Sequence, residues 1–264
     1  MNILIPMAGA GSRFAEQGYA LSKPVIPTTL RRTGKKVPMV VAAVADLPLT
    51  DNDNQIIFVV RDFHVRDAVP QAIKEYYPKA KFLTIENLTA GQASTCLLAK
   101  ALIDNDQSLL IAACDNGMDI DKTRFQAVSD EADAIIFTFR NNEAVCVKPQ
   151  AYGWIRAAGD VATGVSIKQP ISDTPMKDHA VVGTFWFRRG KDFVSAAEAM
   201  IALNDRINNE FYVDQVFKYL IDLGLRVRVL EVSRYICWGT PDDYDNYERT
   251  LTYWKEFLDK EKNR

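Results

Sequence analysis

Along the first half of the chain, apolar residues fall into short dense runs, at 2–7, 55–60, 81–85, 108–114 and 133–139. Most are packed with Ile, Leu, Val and Phe without polar alternation, as in strands covered on both faces. Between them, at 39–47, 63–76, 91–103 and 121–131, apolar positions recur at helical spacing. Strands alternating with helices predict a parallel sheet with helices on both sides. The second half is patterned differently. Runs at 152–157 and 161–168 flank Ala158-Gly159-Asp160, which reads as a hairpin turn. Further strands are expected at 180–187 and 225–232, and helices at 191–203 and 212–223, the latter stopped by Gly224. The tail, 242–260, alternates charged and aromatic residues at helical spacing. There is no internal repeat, low-complexity tract or linker. These patterns predict a single α/β, Rossmann-like domain over 1–264, with a mixed, mostly parallel central sheet flanked by helices. Its character changes near residue 140.

Composition narrows the picture. A formal net charge of -2 argues against a general nucleic-acid binder. No run is apolar and long enough to span a bilayer, and Arg13 and Glu16 come too early for a signal peptide, so no membrane association and a cytoplasmic location are expected. Cys96, Cys114, Cys146 and Cys237 form no C-x-x-C pair and read as reduced thiols. His64 and His179 fit neither a metal nor a triad spacing. The basic run 31–36 reads as a solvated turn.

The first strand runs into Met7-Ala8-Gly9-Ala10-Gly11-Ser12-Arg13-Phe14, with Lys23-Pro24 shortly after. Small residues at a strand end bring backbone N–H groups close to a ligand, and Gly leaves no Cβ in the way of a phosphate. A dinucleotide fingerprint would need a third Gly where Phe14 stands and an acid about 20 residues on, where 28–33 has none. A Walker loop would end in Gly-Lys-Ser/Thr, whereas Gly11 is followed by Ser12-Arg13. With Arg13 and Lys23 at the same mouth, the segment describes a different kind of triphosphate site.

This loop resembles the opening of the sugar nucleotidyltransferases, the nucleoside-diphospho-sugar pyrophosphorylases. The likeness continues in order through Ala90-Gly91-Gln92-Ala93, Leu110-Ile111-Ala112-Ala113-Cys114-Asp115-Asn116, Tyr152-Gly153, Lys168-Gln169-Pro170, Gly183-Thr184-Phe185-Trp186-Phe187, Glu210-Phe211-Tyr212-Val213-Asp214 and Trp238-Gly239-Thr240-Pro241. It implies a nucleotide-binding half, 1–140, and an acceptor-binding half, 141–264. The implied reaction is attack of a phosphorylated sugar or alcohol on the α-phosphate of a nucleoside triphosphate, with pyrophosphate leaving. Supply of capsule or surface polysaccharide is the implied context. The alternatives are a nucleotide-sugar-dependent glycosyltransferase and a non-catalytic nucleotide-binding module. Cys114-Asp115-Asn116 lacks the Asp-x-Asp of many glycosyltransferases.

The resemblance also distributes roles. Ala8, Gly9, Ala10, Gly11 and Ser12 would cradle the triphosphate. Arg13 would hold the leaving pyrophosphate in its planar fork, and Lys23 would neutralise the α-phosphate and the attacking oxygen. Gly91 and Gln92 would read the base, and Gln92 favours CTP or UTP, with dTTP possible. Asp115 would bind magnesium, which prefers a few carboxylates plus substrate phosphates. Cys237 stands where many relatives carry a second metal carboxylate, leaving Asp214, Asp242 or Asp243 as candidates, or a metal held by one protein carboxylate; Asp242 and Asp243 also suit the first turn of the last helix. Tyr152, Gly153, Lys168, Gly183 and Glu210 would line the acceptor pocket, and Tyr152, Trp186 or Trp238 could pack a sugar face.

Overall fold

The computed structural model describes residues 1–9, 11–49 and 54–262. Its strands are β1 (Asn2–Pro6), β2 (Pro27–Leu30), β3 (Lys35–Pro38), β4 (Gln55–Arg61), β5 (Lys81–Ile85), β6 (Leu109–Ile111), β7 (Asn116–Asp119), β8 (Ala134–Phe139), β9 (Gly153–Ala158), β10 (Val161–Ile167), β11 (His179–Phe187), β12 (Val227–Glu231) and β13 (Arg234–Cys237). The helices are α1 (Ser12–Glu16), α2 (Met39–Ala45), α3 (Asp62–Arg66), α4 (Val69–Lys74), α5 (Gln92–Leu97), α6 (Lys100–Ile103), α7 (Lys122–Glu131), α8 (Ala144–Val147), α9 (Gly190–Ala202), α10 (Val213–Asp222) and α11 (Pro241–Lys262).

Nine strands form one sheet in the order β5-β4-β1-β6-β11-β8-β12-β10-β9. The expected two-sided burial is visible residue by residue. Ile3, Ile5, Phe58 and Leu110 join one apolar cluster, with α2 and α7, while Leu4, Ile57, Val59 and Ile111 join the other, with α5, α6, α9 and α10. Alternate strand residues point to opposite faces, so a strand buried on both sides must be apolar throughout.

The mixed sheet is as expected; its predominance of parallel pairs is not. β5, β4, β1 and β6 run parallel and β12 runs parallel to β8. β11, however, is antiparallel to both β6 and β8, and β9 and β10 pair only in antiparallel fashion. A short connection such as 158–160 cannot link parallel neighbours, which need a long crossover. β9 pairs with β10 and also reaches β11, through His179↔Ile155 and Ala180↔Trp154, so this edge of the sheet curls back on itself. A bulge in β11 between Val181 and Phe185 accompanies that bend.

Two small ladders place the site. β2 pairs with β3, and β7 pairs with β13, which sets Cys237 opposite Asn116 just beyond β6. The basic run 31–36 is only partly a solvated turn. Arg31 is largely buried, and its Nη2 donates to Asp46 Oδ2 at 2.8 Å, Asp119 Oδ1 at 3.0 Å and the Met118 carbonyl at 3.3 Å. It ties the β2–β3 ladder to β7. Asp46 is 3% exposed, and burial raises its pKa against the pull of Arg31. No helix among the described residues is long and apolar enough to cross a membrane.

Candidate active site

The loop after β1, the turn after β5 and the end of β6 meet around a cavity of about 770 Å³. β1, β4, β5 and β6 are parallel neighbours, so their C-terminal ends open on one side, the usual place for a ligand in such sheets. Ala8, Gly9, Gly11, Lys23, Gly91, Gln92, Asp115 and Glu210 all belong to its wall. Ala10 lies outside the described residues. Ser12 and Arg13, on α1, are exposed and stand outside that wall.

Lys23 and Asp115 form the electrostatic centre. Lys23 Nζ donates to Asp115 Oδ2 at 2.6 Å and to the Gly239 carbonyl at 3.1 Å, and lies 5.3 Å from the centroid of the Phe14 ring. Burial opposes the ammonium charge, but Asp115, helped by Cys114 and Cys237, outweighs it and the Lys23 pKa ends above its ordinary value. The cation is therefore fixed at the cavity and charged throughout the physiological range.

The base-side turn is set by close backbone contact. Gly91 has φ 114°, and a Cβ there would lie 2.6 Å from both the N and the O of Phe211. Glycine alone satisfies both demands. Phe211 N donates to the Ala90 carbonyl at 2.8 Å and Ala93 N to the Phe211 carbonyl at 2.9 Å. Glu210 is held by a tight turn in which Asn208 and Asn209 take φ 51° and 63°, with Ile207 and Glu210 exchanging both backbone hydrogen bonds. Two successive positive φ values are those of a type I′ turn, which Asn tolerates.

The expected acceptor residues assemble beside this cavity. The Lys168 amide donates to the Tyr152 carbonyl at 3.1 Å, and its Nζ donates to the Ala151 carbonyl and lies 5.4 Å from the centroid of the Tyr212 ring. Lys168 holds φ 59°, a strained conformation for a residue with a Cβ. Burial lowers its pKa; Asp214 and Glu210 oppose this, while Arg13 and Lys148 reinforce it. Asp214 is 8% exposed, in the first turn of α10 beneath Gly153. A Cβ at Gly153 would sit 2.0 Å from its Oδ2. Gly183, in the β11 bulge, flanks the end of β6, where a Cβ would meet Ala113 at 3.6 Å. Trp186 and Trp238 are core residues, 6% and 1% exposed, and only Tyr152 of the three aromatics is half-buried.

None of the candidates for the second metal carboxylate, Asp214, Asp242 or Asp243, is joined to Asp115 by a hydrogen bond or ion pair among the described residues. Asp214 faces Lys168, and Asp242 lies on the outer start of α11 with Asp245 and Glu248. Cys237 does lie near Asp115, because a Cβ on Gly239 would be 3.3 Å from its Sγ and 3.7 Å from Asp115 Oδ2. Burial and then Asp243 push the Cys237 thiol up to about 12, so it is protonated and a poor magnesium ligand. Thr240 Oγ1 donates to Asp243 Oδ2 at 2.6 Å, which also takes the Cys237 S–H at 3.4 Å. No cluster of three or more His, Cys, Asp or Glu suited to a metal occurs among the described residues. Asp115, 30% exposed at the cavity, fits a magnesium site in which phosphate oxygens and water supply the other ligands.

Sequence reasoning overlooked several wall or supporting residues. Tyr212, inside a segment already singled out, closes on Glu210, and burial with that carboxylate raises its pKa to about 12. Ser22 donates to Asp67 across the cavity rim. Buried His64 joins the wall beyond β4; its place three residues after a strand-end Arg is a weak helix-start signal.

Neither a family model nor a curated protein matches the sequence. Solved structures do match, and they define the class of fold first: that of nucleoside-diphosphate-sugar pyrophosphorylases and related nucleotide transferases. The chain superposes on a nucleoside-diphosphate-sugar pyrophosphorylase from Vibrio cholerae RC9 with a TM-score of 0.75 at 21% identity, over 94% of this chain and 99% of that one. It matches the inositol-1-phosphate CTP transferase from T. maritima with a TM-score of 0.67 at 13% identity, over 94% and 93% of the two chains. A UDP-glucose pyrophosphorylase complexed with UDP-glucose gives 0.67 at 16% identity, over 97% and 98%. At these identities the shared property is the fold, across nearly the full length of each chain.

Proposed function

We propose that this chain is a nucleotidyltransferase that joins a nucleoside triphosphate to a phosphorylated sugar or similar alcohol and releases pyrophosphate. The observation that carries the reading is the Lys23–Asp115 pair, set 2.6 Å apart where the small-residue loop after β1 meets the end of β6. The fold shared with pyrophosphorylases supports it.

In this reading an acceptor phosphate oxygen forms a bond to the α-phosphorus while the bond to the β-phosphate bridging oxygen breaks. The electron pair leaves with pyrophosphate. Two polyanions must be brought together, so positioning and charge stabilisation dominate. Lys23 offers a fixed cation for the reacting phosphate. Backbone amides of Ala8, Gly9 and Gly11 would cradle the phosphates, with Ser12 at the loop's edge, and Gly91 and Gln92 face the base. CTP or UTP is favoured, with dTTP the next candidate. Lys168, backed by Asp214, offers positive charge to the acceptor phosphate between Tyr152, Gly153, Gly183 and Glu210. Arg13 would hold the leaving pyrophosphate in its planar fork. Asp115 would hold magnesium, which when bound would neutralise phosphate charge.

A matrix of CTP, UTP, dTTP, ATP and GTP against sugar and polyol phosphates, with magnesium, tests the reaction. One pair is expected to release pyrophosphate stoichiometrically with a nucleoside-diphosphate product. Absence of pyrophosphate from every pair would sink the reading. Cys237→Ala is expected to keep kcat/KM within about threefold, because a protonated thiol supplies no metal charge. A loss of magnesium affinity in that variant, read by titration of metal-dependent turnover, would make Cys237 a ligand after all.

A further inference from the structure

We propose that His64 reads the nucleotide base, donating its Nε2–H to a ring carbonyl and so selecting pyrimidines over adenine; this rests on the reading of the cavity as a triphosphate site. His64 is the third residue of α3, directly beyond the C-terminal end of β4, and is 2% exposed. Its Nδ1 accepts the Arg61 backbone N–H at 3.2 Å. That bond leaves the ring proton on Nε2. Burial drives the pKa down to about 4, with Arg61 adding to the shift and Asp67 and Asp62 opposing it, so the ring is a neutral donor at pH 7. Among the described residues no protein acceptor takes the Nε2–H. His64 nevertheless belongs to the cavity wall. The Nε2–H is therefore available to a ligand acceptor in the cavity.

The place of the ring in the sheet indicates which part of the ligand it meets. Lys23 and Asp115 stand at the end of β6, and β6 is followed by β1, β4 and β5 in the sheet. His64 is two strand spacings away from β6, about 10 Å. A triphosphate anchored near β6 therefore extends its nucleoside over the ends of β4 and β5. Leu88, Thr89 and Gln92 complete that end of the cavity. The His64 ring is held by Phe63, with centroids 4.2 Å apart, and Phe63 in turn carries the Arg61 guanidinium at 5.5 Å. Cytosine, uracil and thymine each present a 2-carbonyl, whereas adenine has no ring carbonyl. A site with a buried N–H rejects a ligand that cannot pair with it more strongly than shape alone would.

The test is equilibrium binding of CTP, UTP, dTTP, ATP and inorganic tripolyphosphate to the wild-type protein, His64→Asn and His64→Gln. Asn keeps an oxygen where Nδ1 accepts the Arg61 N–H but removes the Nε2–H, so the helix start and the melting temperature are expected to survive. In the wild type a pyrimidine triphosphate is expected to bind about 10-fold or more tighter than ATP. In His64→Asn that ratio is expected to collapse while tripolyphosphate affinity stays unchanged. His64→Gln, which returns an N–H near the Nε2 position, is expected to recover part of the preference. An unchanged ratio in His64→Asn, or a wild type that prefers ATP, overturns the base-reading role. Failure of the wild type to bind any triphosphate or tripolyphosphate instead overturns the triphosphate reading beneath it.

Discussion

Lys23→Met is expected to lower the turnover of pyrophosphate release about 10²–10³-fold, the scale on which loss of one preorganised charge or donor acts. The effect should fall on kcat more than on the KM for nucleotide, because the loop amides would still hold the phosphates. The fold should survive. Asp115 is 30% exposed, so the carboxylate left behind still reaches water, and the loss is smaller than for a fully buried pair. Lys23→Arg is not expected to rescue activity. The ammonium occupies a narrow position between Asp115 Oδ2 and the Gly239 carbonyl, over the Phe14 ring, and a planar fork does not replace a compact point charge. Asp115→Asn should depress turnover in the same direction. Measured kcat with unchanged melting temperature decides the matter, and full activity in Lys23→Met would place the chemistry elsewhere.

The central strands were legible because both their faces are buried and the chain had to make them apolar throughout. The helical segments were legible in position but not in continuity. The run 63–76 divides at Ala68, which takes φ 57° just before Pro70, and the run 91–103 divides between Leu97 and Lys100. The β2–β3 and β7–β13 ladders escaped notice. Each strand has four residues, and segments such as Asn116–Asp119 carry no clear alternation. Their pairing is decided by partners far along the chain, such as Asn116 with Cys237, and a local pattern does not register that.

The same division runs through the site. The small-residue loop and Lys23 form one local segment, so their character could be read directly. The bond from Lys23 to Asp115 joins residues 92 positions apart, and only the sheet order brings them together. A search for a carboxylate to stand in for Cys237 could not tell Asp214 from Asp242, because acids look alike in sequence. In the fold one supports Lys168 and the other faces outward on α11. Likewise, nothing in the spacing of His64 marks it as buried in the cavity wall. Its neighbours there come from separate strands.

Asp214→Asn is expected to make the protein more stable at neutral pH while impairing use of the acceptor. Burial pushes the Asp214 carboxyl from its ordinary 3.8 up to about 6, against the pull of Lys168 and of the backbone amides of residues 214 and 215. The native state therefore holds this proton more tightly than the unfolded chain does. Below about pH 4 both states are protonated and no cost arises. Between pH 4 and 6 native stability falls as pH rises, and above 6 the whole cost of holding the buried carboxylate is present, about 2–3 kcal/mol. Asn cannot ionise, so the variant's advantage should grow through that window and level off above it. The disadvantage is functional. Burial already lowers the Lys168 pKa, and Asp214 is the first group opposing that shift, so the variant should lower it further, remove the carboxylate that faces Lys168, and raise the acceptor KM without changing that of the nucleotide. Gly153→Ala should act on the same pair by displacing the carboxylate, since its Cβ would lie 2.0 Å from Oδ2; it should raise the acceptor KM and lower stability together. Urea unfolding of wild type and Asp214→Asn at pH 4.5, 6 and 7.5 would settle the sign. A variant less stable than wild type at pH 7.5 would mean that the ionised Asp214–Lys168 pair supports the fold, and that Asp214 is retained for stability.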